Sequence, residues 1–291
     1  NWIARSAENP SRSAYMRNEF SLDDKNIEKA RVYVTGLGNY VLFLNGERVG
    51  EDLLTPGWTH YPVRLEYQVY DVKDLLENGQ NAAGAVLGNM WWSGGLGWGE
   101  GKKYSEGPLK FAMQLQVDFE DGTSQTVVTD KTWKWADSPI WEDDIYDGEK
   151  YDANLEQPGW NKPGFDDSAW NPVEPAGYEG MLTGPAAPAL RHHMDLKPVA
   201  LNEPVEGEYV YDLGQNMVGW AKVKINAPKG DTVTFWFAEL LHEDGTVAQE
   251  NLRSATATDK IVSNGSEIVW EPKFTYHGFR YVQVSGLKEK P

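Results

Sequence analysis

The sequence predicts an all-β fold of two antiparallel β-sandwich domains, and three observations carry that prediction. Apolar and polar residues alternate at period two through segment after segment. Turn pairs containing Gly or Asp separate those segments. No stretch sustains the 3.6-residue period of a long helix, so neither an α/α barrel nor an α/β barrel fits.

Taken in order, Asp23 to Ala30 reads as a two-turn helix. Arg31 to Thr35 and Tyr40 to Asn45 are β-rich, with Asn45-Gly46 closing a hairpin. Leu65 to Tyr70 alternates, and Asp71 to Glu77 reads as a second short helix ending at Asn78-Gly79. Phe111 to Phe119 alternates most regularly; Asp121-Gly122 turns the chain, and Gln125 to Val128 pairs back. A second strand block begins near Tyr209. There Trp220 to Ile225 alternates, Pro228 to Asp231 turns, and Thr232 to Leu240 places Val233, Phe235 and Phe237 on one face. Between the blocks, the Pro/Gly/Ala-rich stretch Gly184 to Ala189 reads as an extended connector. It divides the chain into residues 1–184 and 185–291.

Composition narrows the function classes. A chain of 291 residues suits two domains, each able to bury its own core. With 27 basic against 44 acidic residues the formal charge is −17, which argues against nucleic acid or an anionic membrane as partner. Cysteine is absent, which excludes disulfides and thiolate metal sites. No apolar run approaches the roughly 20 residues of a membrane helix. The opening Asn-Trp-Ile-Ala-Arg is not a signal peptide and lacks an initiator Met. The chain is therefore expected to be a trimmed segment whose address signal lies elsewhere, with a periplasmic or secreted location favoured over a cytoplasmic one.

The residues offer little classical chemistry. The acidic neighbours Asp143-Asp144, Asp166-Asp167 and Glu149/Asp152 are expected to be solvated or to cap turns. An EF-hand reading of Asp143 to Gly148 fails because Ile145 stands where a ligand is needed. The five His are scattered, and adjacent His192 and His193 in an extended segment point to opposite faces. The Gly-rich loop holding Trp91, Trp92 and Trp98 has a composition suited to stacking on sugars, the competing reading being plain packing. Trp58, Trp160 and Trp170 sit in turn motifs and are expected to plug the structure. His277 to Arg280 is expected to be an interface cluster, and Asp212, Gln215 and Asn216 to bridge turns.

Ala30 to Gly50, with its Asn45-Gly46 hairpin, resembles the opening of the jelly-roll domain near the N-terminus of bacterial α-L-rhamnosidases. Leu54-Thr-Pro-Gly-Trp-Thr59, Tyr70 to Leu76, Gly79 to Gly84, Leu87 to Trp91, Gly148 to Asn154 and Phe165 to Trp170 follow in the family's order. Tyr211 to Trp220, Ala238 to Leu240 and Phe274 to Tyr281 are similar to the β-sandwich that comes next in those enzymes. Asn154 departs from the Arg usual at that place in the family motif.

The resemblance implies an inverting glycoside hydrolase, whose acid and base carboxylates stand about 6.5–9.5 Å apart. In the family both belong to a six-hairpin α/α barrel C-terminal to the sandwiches, so no catalytic residue is assigned here and the chain alone is expected to be inactive. The resemblance further implies a calcium-dependent site for terminal L-rhamnose, held by Glu51, Asp52 and the Pro108 carbonyl; Trp92 and Trp98 are the candidate sugar contacts that the Trp-rich loop offers by composition. Calcium prefers such oxygen ligands; the competing reading of Glu51-Asp52 is an acidic turn. The implied partners are rhamnose-containing glycans and the parent enzyme's catalytic barrel. A free-standing calcium-dependent carbohydrate-binding protein is the alternative.

Overall fold

A computed structural model of the chain describes residues 1–6, 12–96, 104, 105 and 107–287. It contains 51% strand and 5% helix, which bears out the all-β expectation. The chain divides into two compact units, Asn1–Ser138 with Gln157–His192, and Pro139–Glu156 with His193–Pro291.

Among the described residues, the first unit is built on two six-stranded sheets. One runs Glu174–Ala176, Trp2–Ala4, Lys110–Phe119, Ile27–Leu37 and Gln68–Asp71, with Ser124–Val128 also paired to Lys110–Phe119. The other runs Asn171–Pro172, Lys134–Asp137, Ala14–Leu22, Gly79–Gly88, Asn39–Leu44 and Glu47–Arg48. Alternation decides which side chains meet between them. Phe111, Met113, Leu115, Val117 and Phe119 from one sheet share a core with Met16, Leu42, Leu44, Ala85 and Leu87 from the other. The hairpin at Asn45-Gly46 forms as expected, both residues having positive φ.

The motif stretch Phe165 to Trp170 is held by a buried cation. Arg17 is 1% exposed and donates to the carbonyls of Trp160 (2.8 Å) and Lys162 (3.2 Å), while pairing with Asp167 and Glu19. Lys134 also reaches Asp167, at 2.6 Å. Tyr15 stacks on Trp160 and Trp170, both buried, so these two tryptophans are indeed plugs. Asp166 caps the Ser168 N–H, but Asp167 is ion-paired rather than merely solvated.

In the second unit one seven-stranded sheet dominates the described residues. Its order is Ile140–Asp144, Gly148–Asp152, Thr258–Val262, Thr232–Ala238, His277–Ser285, Glu208–Gly219 and Ala200–Val205. Val233, Phe235 and Phe237 are buried as their spacing predicts, together with Phe279, Val282 and Val284. The hairpin of residues 139–156 joins the second unit, although it precedes the stretch 184–189 in the chain. Backbone pairing explains why: Gly148–Asp152 lies parallel to Thr258–Val262. The approach requires glycine at position 148, since a Cβ there would lie 2.3 Å from the Thr258 carbonyl oxygen. The expected connector 184–189 is exposed, has no regular secondary structure and bends at residues 186 and 187.

Three local expectations are corrected. Asp23 to Ala30 is not helical; its second half enters the strand Ile27–Leu37, where burial of Ala30, Val32 and Val34 outweighs local propensity. Asp71 to Glu77 keeps only the 3₁₀ turn Lys73–Leu75. Leu65 to Tyr70 is two strands rather than one: Arg64–Glu66 pairs with Met181–Thr183, whereas Gln68–Asp71 pairs with Ile27–Leu37.

Candidate sugar-binding surface

In the first unit, the loop 51–62 and the single helical turn Met90–Ser93 bring aromatic side chains together. Asn39 donates to the Pro56 carbonyl (3.3 Å), and the Thr59 hydroxyl donates to the Arg64 carbonyl (2.7 Å), so the chain is pinned on both sides of Trp58. Trp58 is nevertheless 49% exposed, against the expectation that it plugs the structure. Its ring stacks on buried Trp91 with centroids 5.9 Å apart and planes 8° from parallel. Its indole N–H donates to the Tyr104 hydroxyl at 3.1 Å. Tyr104 meets the edge of Tyr61, and Tyr61 meets Trp92 at 5.3 Å and 77°. Offset stacking and edge contacts of this kind suit the aromatic quadrupole.

The residues marked by the sequence fall differently. Trp92 is half-buried against the first unit's core, and Tyr61 occupies it edge-on. Trp98 lies outside the described residues. Glu51 is exposed, as a rim turn requires. Asp52 is engaged: Oδ2 accepts from the Tyr70 hydroxyl at 3.1 Å, and Oδ1 pairs with Arg191 Nε at 3.1 Å. Arg48 also donates to the Asp52 carbonyl. Burial, followed by the charge of Asp52, raises the Tyr70 phenol above its usual range. Pro108 follows a cis peptide bond and is partly buried. Among the described residues no group of three or more Asp, Glu or His side chains is arranged to hold a metal ion.

Whether the expected donors suit calcium turns on Arg191. Two carboxylates and a carbonyl are the right ligand types, but a guanidinium stands at Asp52 where the cation would act. Arg191 is largely exposed, and such ion pairs contribute about 1 kcal/mol or less. A cation at Asp52 would have to displace it, weakening calcium by roughly fivefold at most.

Of the second unit's acidic residues expected to be solvated or to cap turns, Asp144 and Asp152 cap the Tyr146 and Asn154 N–H groups, whereas Asp143 and Glu149 are buried. Glu149 is 0% exposed; Oε2 accepts the N–H groups of Lys273 and Phe274, both at 2.9 Å, and Oε1 has no hydrogen-bond partner among the described residues. Its own N–H donates to Asp259 Oδ1 (2.8 Å), which also meets His277 Nε2 at 3.1 Å. Burial pushes the Glu149 carboxyl up to about 8; the Asp143 charge adds to this, while Lys273 and the two N–H donors oppose it. His277 stacks on Phe237 and Phe279 is buried, so both belong to this unit's own core, while Arg280 forms a bidentate pair with Asp212 at 2.8 Å. Asp212 also caps the Gly214 N–H, the turn-bridging role expected of it, and Asn216 instead reaches Glu239. Asn154 bonds Asp152 and the Ser263 carbonyl in place of an ion pair.

Two units of mainly antiparallel sheet in series define an all-β, tandem-sandwich protein. Residues 25–194 match the α-L-rhamnosidase N-terminal domain, and residues 202–291 match the bacterial α-L-rhamnosidase concanavalin-like domain. The chain belongs to the bacterial α-L-rhamnosidase family. An α-L-rhamnosidase of Streptomyces avermitilis is 42% identical over 283 residues, covering 95% of this chain and 27% of that protein. One of Formosa agariphila is 39% identical, covering 95% and 30%. The S. avermitilis enzyme solved with L-rhamnose superposes with a TM-score of 0.94 at 41% identity, over 97% of this chain and 28% of that one. The native Aspergillus terreus enzyme gives 0.93 at 38% identity, over 100% and 34%. The chain thus spans about 30% of the length of the curated relatives it matches.

Proposed function

We propose that this chain is a non-catalytic accessory region of an α-L-rhamnosidase and that its first unit binds rhamnose-containing glycans. The observation that carries the reading is the pair of family domains in series, matched over 25–194 and 202–291 in a chain about 30% as long as its relatives. The pinned, partly exposed aromatic cluster around Trp58 supports a sugar-binding role. The remainder of the parent enzyme would supply the acid and base carboxylates, with the two sandwiches supporting its barrel. Calcium at Glu51, Asp52 and the Pro108 carbonyl forms part of this proposal, in competition with Arg191. Its chemistry would be to offer open coordination positions to sugar hydroxyls.

The test has two arms. The purified chain should leave an aryl α-L-rhamnoside intact yet bind L-rhamnose in calorimetry, with and without calcium. Turnover that survives repurification and disappears when a carboxylate of this chain is mutated would overturn the non-catalytic reading. Absence of rhamnose binding under both conditions would overturn the binding role.

A further inference from the structure

We infer that the hairpin of residues 139–156 is held on the second unit by a proton latch: protonation of Glu149 closes it, and loss of that proton releases it from the strand Thr258–Val262. The hairpin forms one end of the seven-stranded sheet, in the order Ile140–Asp144, Gly148–Asp152, Thr258–Val262. Its release takes two strands from the seven and leaves five, with Thr258–Val262 as a bare edge open to pairing with another strand.

The first argument is where the carboxyl stands. Its Oε2 takes the N–H groups of Lys273 and Phe274, so the side chain clamps the hairpin to a segment more than 100 residues away. Oε1 has no hydrogen-bond partner among the described residues. A proton on Oε1 leaves both bonds to Oε2 intact and the group neutral. Ionisation instead leaves a charge that is 0% exposed, and opening the hairpin is the way to hydrate it. The other fastenings do not respond to a proton. The Thr275 hydroxyl donates to the Asp144 carbonyl and the Ala257 N–H to the Tyr146 carbonyl, both at 2.9 Å, and the Asn154 amide donates to the Ser263 carbonyl at 3.1 Å.

The second argument is the charge that faces Glu149. On the partner strand Asp143 stands opposite it in register and is 3% exposed. On Thr258–Val262, Asp259 is fully buried; Oδ1 accepts the Glu149 N–H and meets His277 Nε2, and Oδ2 has no partner among the described residues. Lys273 supplies the opposing charge, its ammonium lying 5.7 Å from the centre of the Tyr151 ring. Lys150 and Lys260 pair in register with each other and, by alternation, lie on the opposite face of the sheet. With burial and Asp143 both favouring the neutral form, the closed hairpin keeps its proton at a pH where a solvated carboxyl has lost it. The closed state is therefore fully favoured below about 4.5, the open-state value. Opening grows as pH rises toward about 8, the closed-state value, and then levels off.

The experiment is hydrogen–deuterium exchange read by mass spectrometry on the 291-residue chain from pH 5.5 to pH 8.5, with rates corrected for the intrinsic effect of pH on amide exchange. Release of one proton per opening should lower protection across Gly148–Asp152 by about tenfold per pH unit until the plateau. At pH 8 those amides should exchange at least about tenfold faster than those of the central strand Thr232–Ala238, because the hairpin opens without the rest of the unit. Glu149→Gln should make hairpin protection independent of pH. Asp143→Asn keeps the latch and removes its neighbouring charge, so its plateau should come at lower pH and its total loss should be smaller; it decides the matter should Glu149→Gln fail to fold. Hairpin protection that ignores pH in wild type would overturn the latch. So would protection equal to that of Thr232–Ala238 at every pH, a pH dependence that survives intact in Glu149→Gln, or an unchanged plateau in Asp143→Asn.

Discussion

Glu149→Gln should stabilise the protein at neutral and alkaline pH and have little effect in acid. Glu149 is fully buried, and its carboxyl is pushed from 4.5 up to about 8 chiefly by burial. A carboxyl whose folded value is raised binds its proton more tightly in the native state. Its contribution is therefore fully present below the unfolded value and is lost as pH rises toward the folded one. Each unit of separation corresponds to about 1.4 kcal/mol. The loss should reach about 3 kcal/mol by pH 7 and about 5 kcal/mol by pH 9, levelling off above the folded value. Gln keeps an oxygen to accept from Lys273 and Phe274 but cannot ionise. Urea unfolding of both proteins from pH 4 to pH 9 measures the difference directly. Curves that stay parallel across that range, or a variant uniformly less stable, would refute the argument by showing that Glu149 is ionised in the fold. The site is suited to the test because the Glu149 side chain ties the second unit's hairpin Ile140–Asp144/Gly148–Asp152 to the Lys273 and Phe274 N–H groups.

Other expectations are equally direct. Arg17→Met should cost about 3–5 kcal/mol, because it strands the Trp160 and Lys162 carbonyls and takes the buried cation from Glu19 and Asp167, leaving Lys134 alone at Asp167; a loss under 1 kcal/mol in denaturant unfolding would contradict the pinning role. Arg191→Ala should tighten calcium binding by up to about fivefold, and Glu51→Ala/Asp52→Ala should abolish it. Identical calcium heats in wild type and the double variant would remove the ion from the proposal. Phe237→Ala, which deletes a fully buried ring in contact with His277 and Phe279, should cost about 3–5 kcal/mol by thermal or urea unfolding.

Strand periodicity and turn chemistry depend on residues near one another in sequence, which is why the sandwiches, the strand Lys110–Phe119 and the Asn45-Gly46 hairpin were legible without coordinates. The family motifs are likewise local strings, and they marked both domains in order. Pairing partners are not local. Nothing between residues 139 and 156 announces that Gly148–Asp152 aligns with Thr258–Val262 more than 100 residues away, or that Glu149 thereby becomes buried. The same holds at the candidate site, where Asp52 reads as a free acidic rim until Tyr70 and Arg191 arrive from distant segments. Trp58, Trp160 and Trp170 occupy similar turn contexts in the sequence, yet only the packed chain leaves one ring facing water and covers the other two. Burial is decided by what the rest of the molecule brings to a residue, and that is set by long-range strand pairing rather than by the residue's own neighbours.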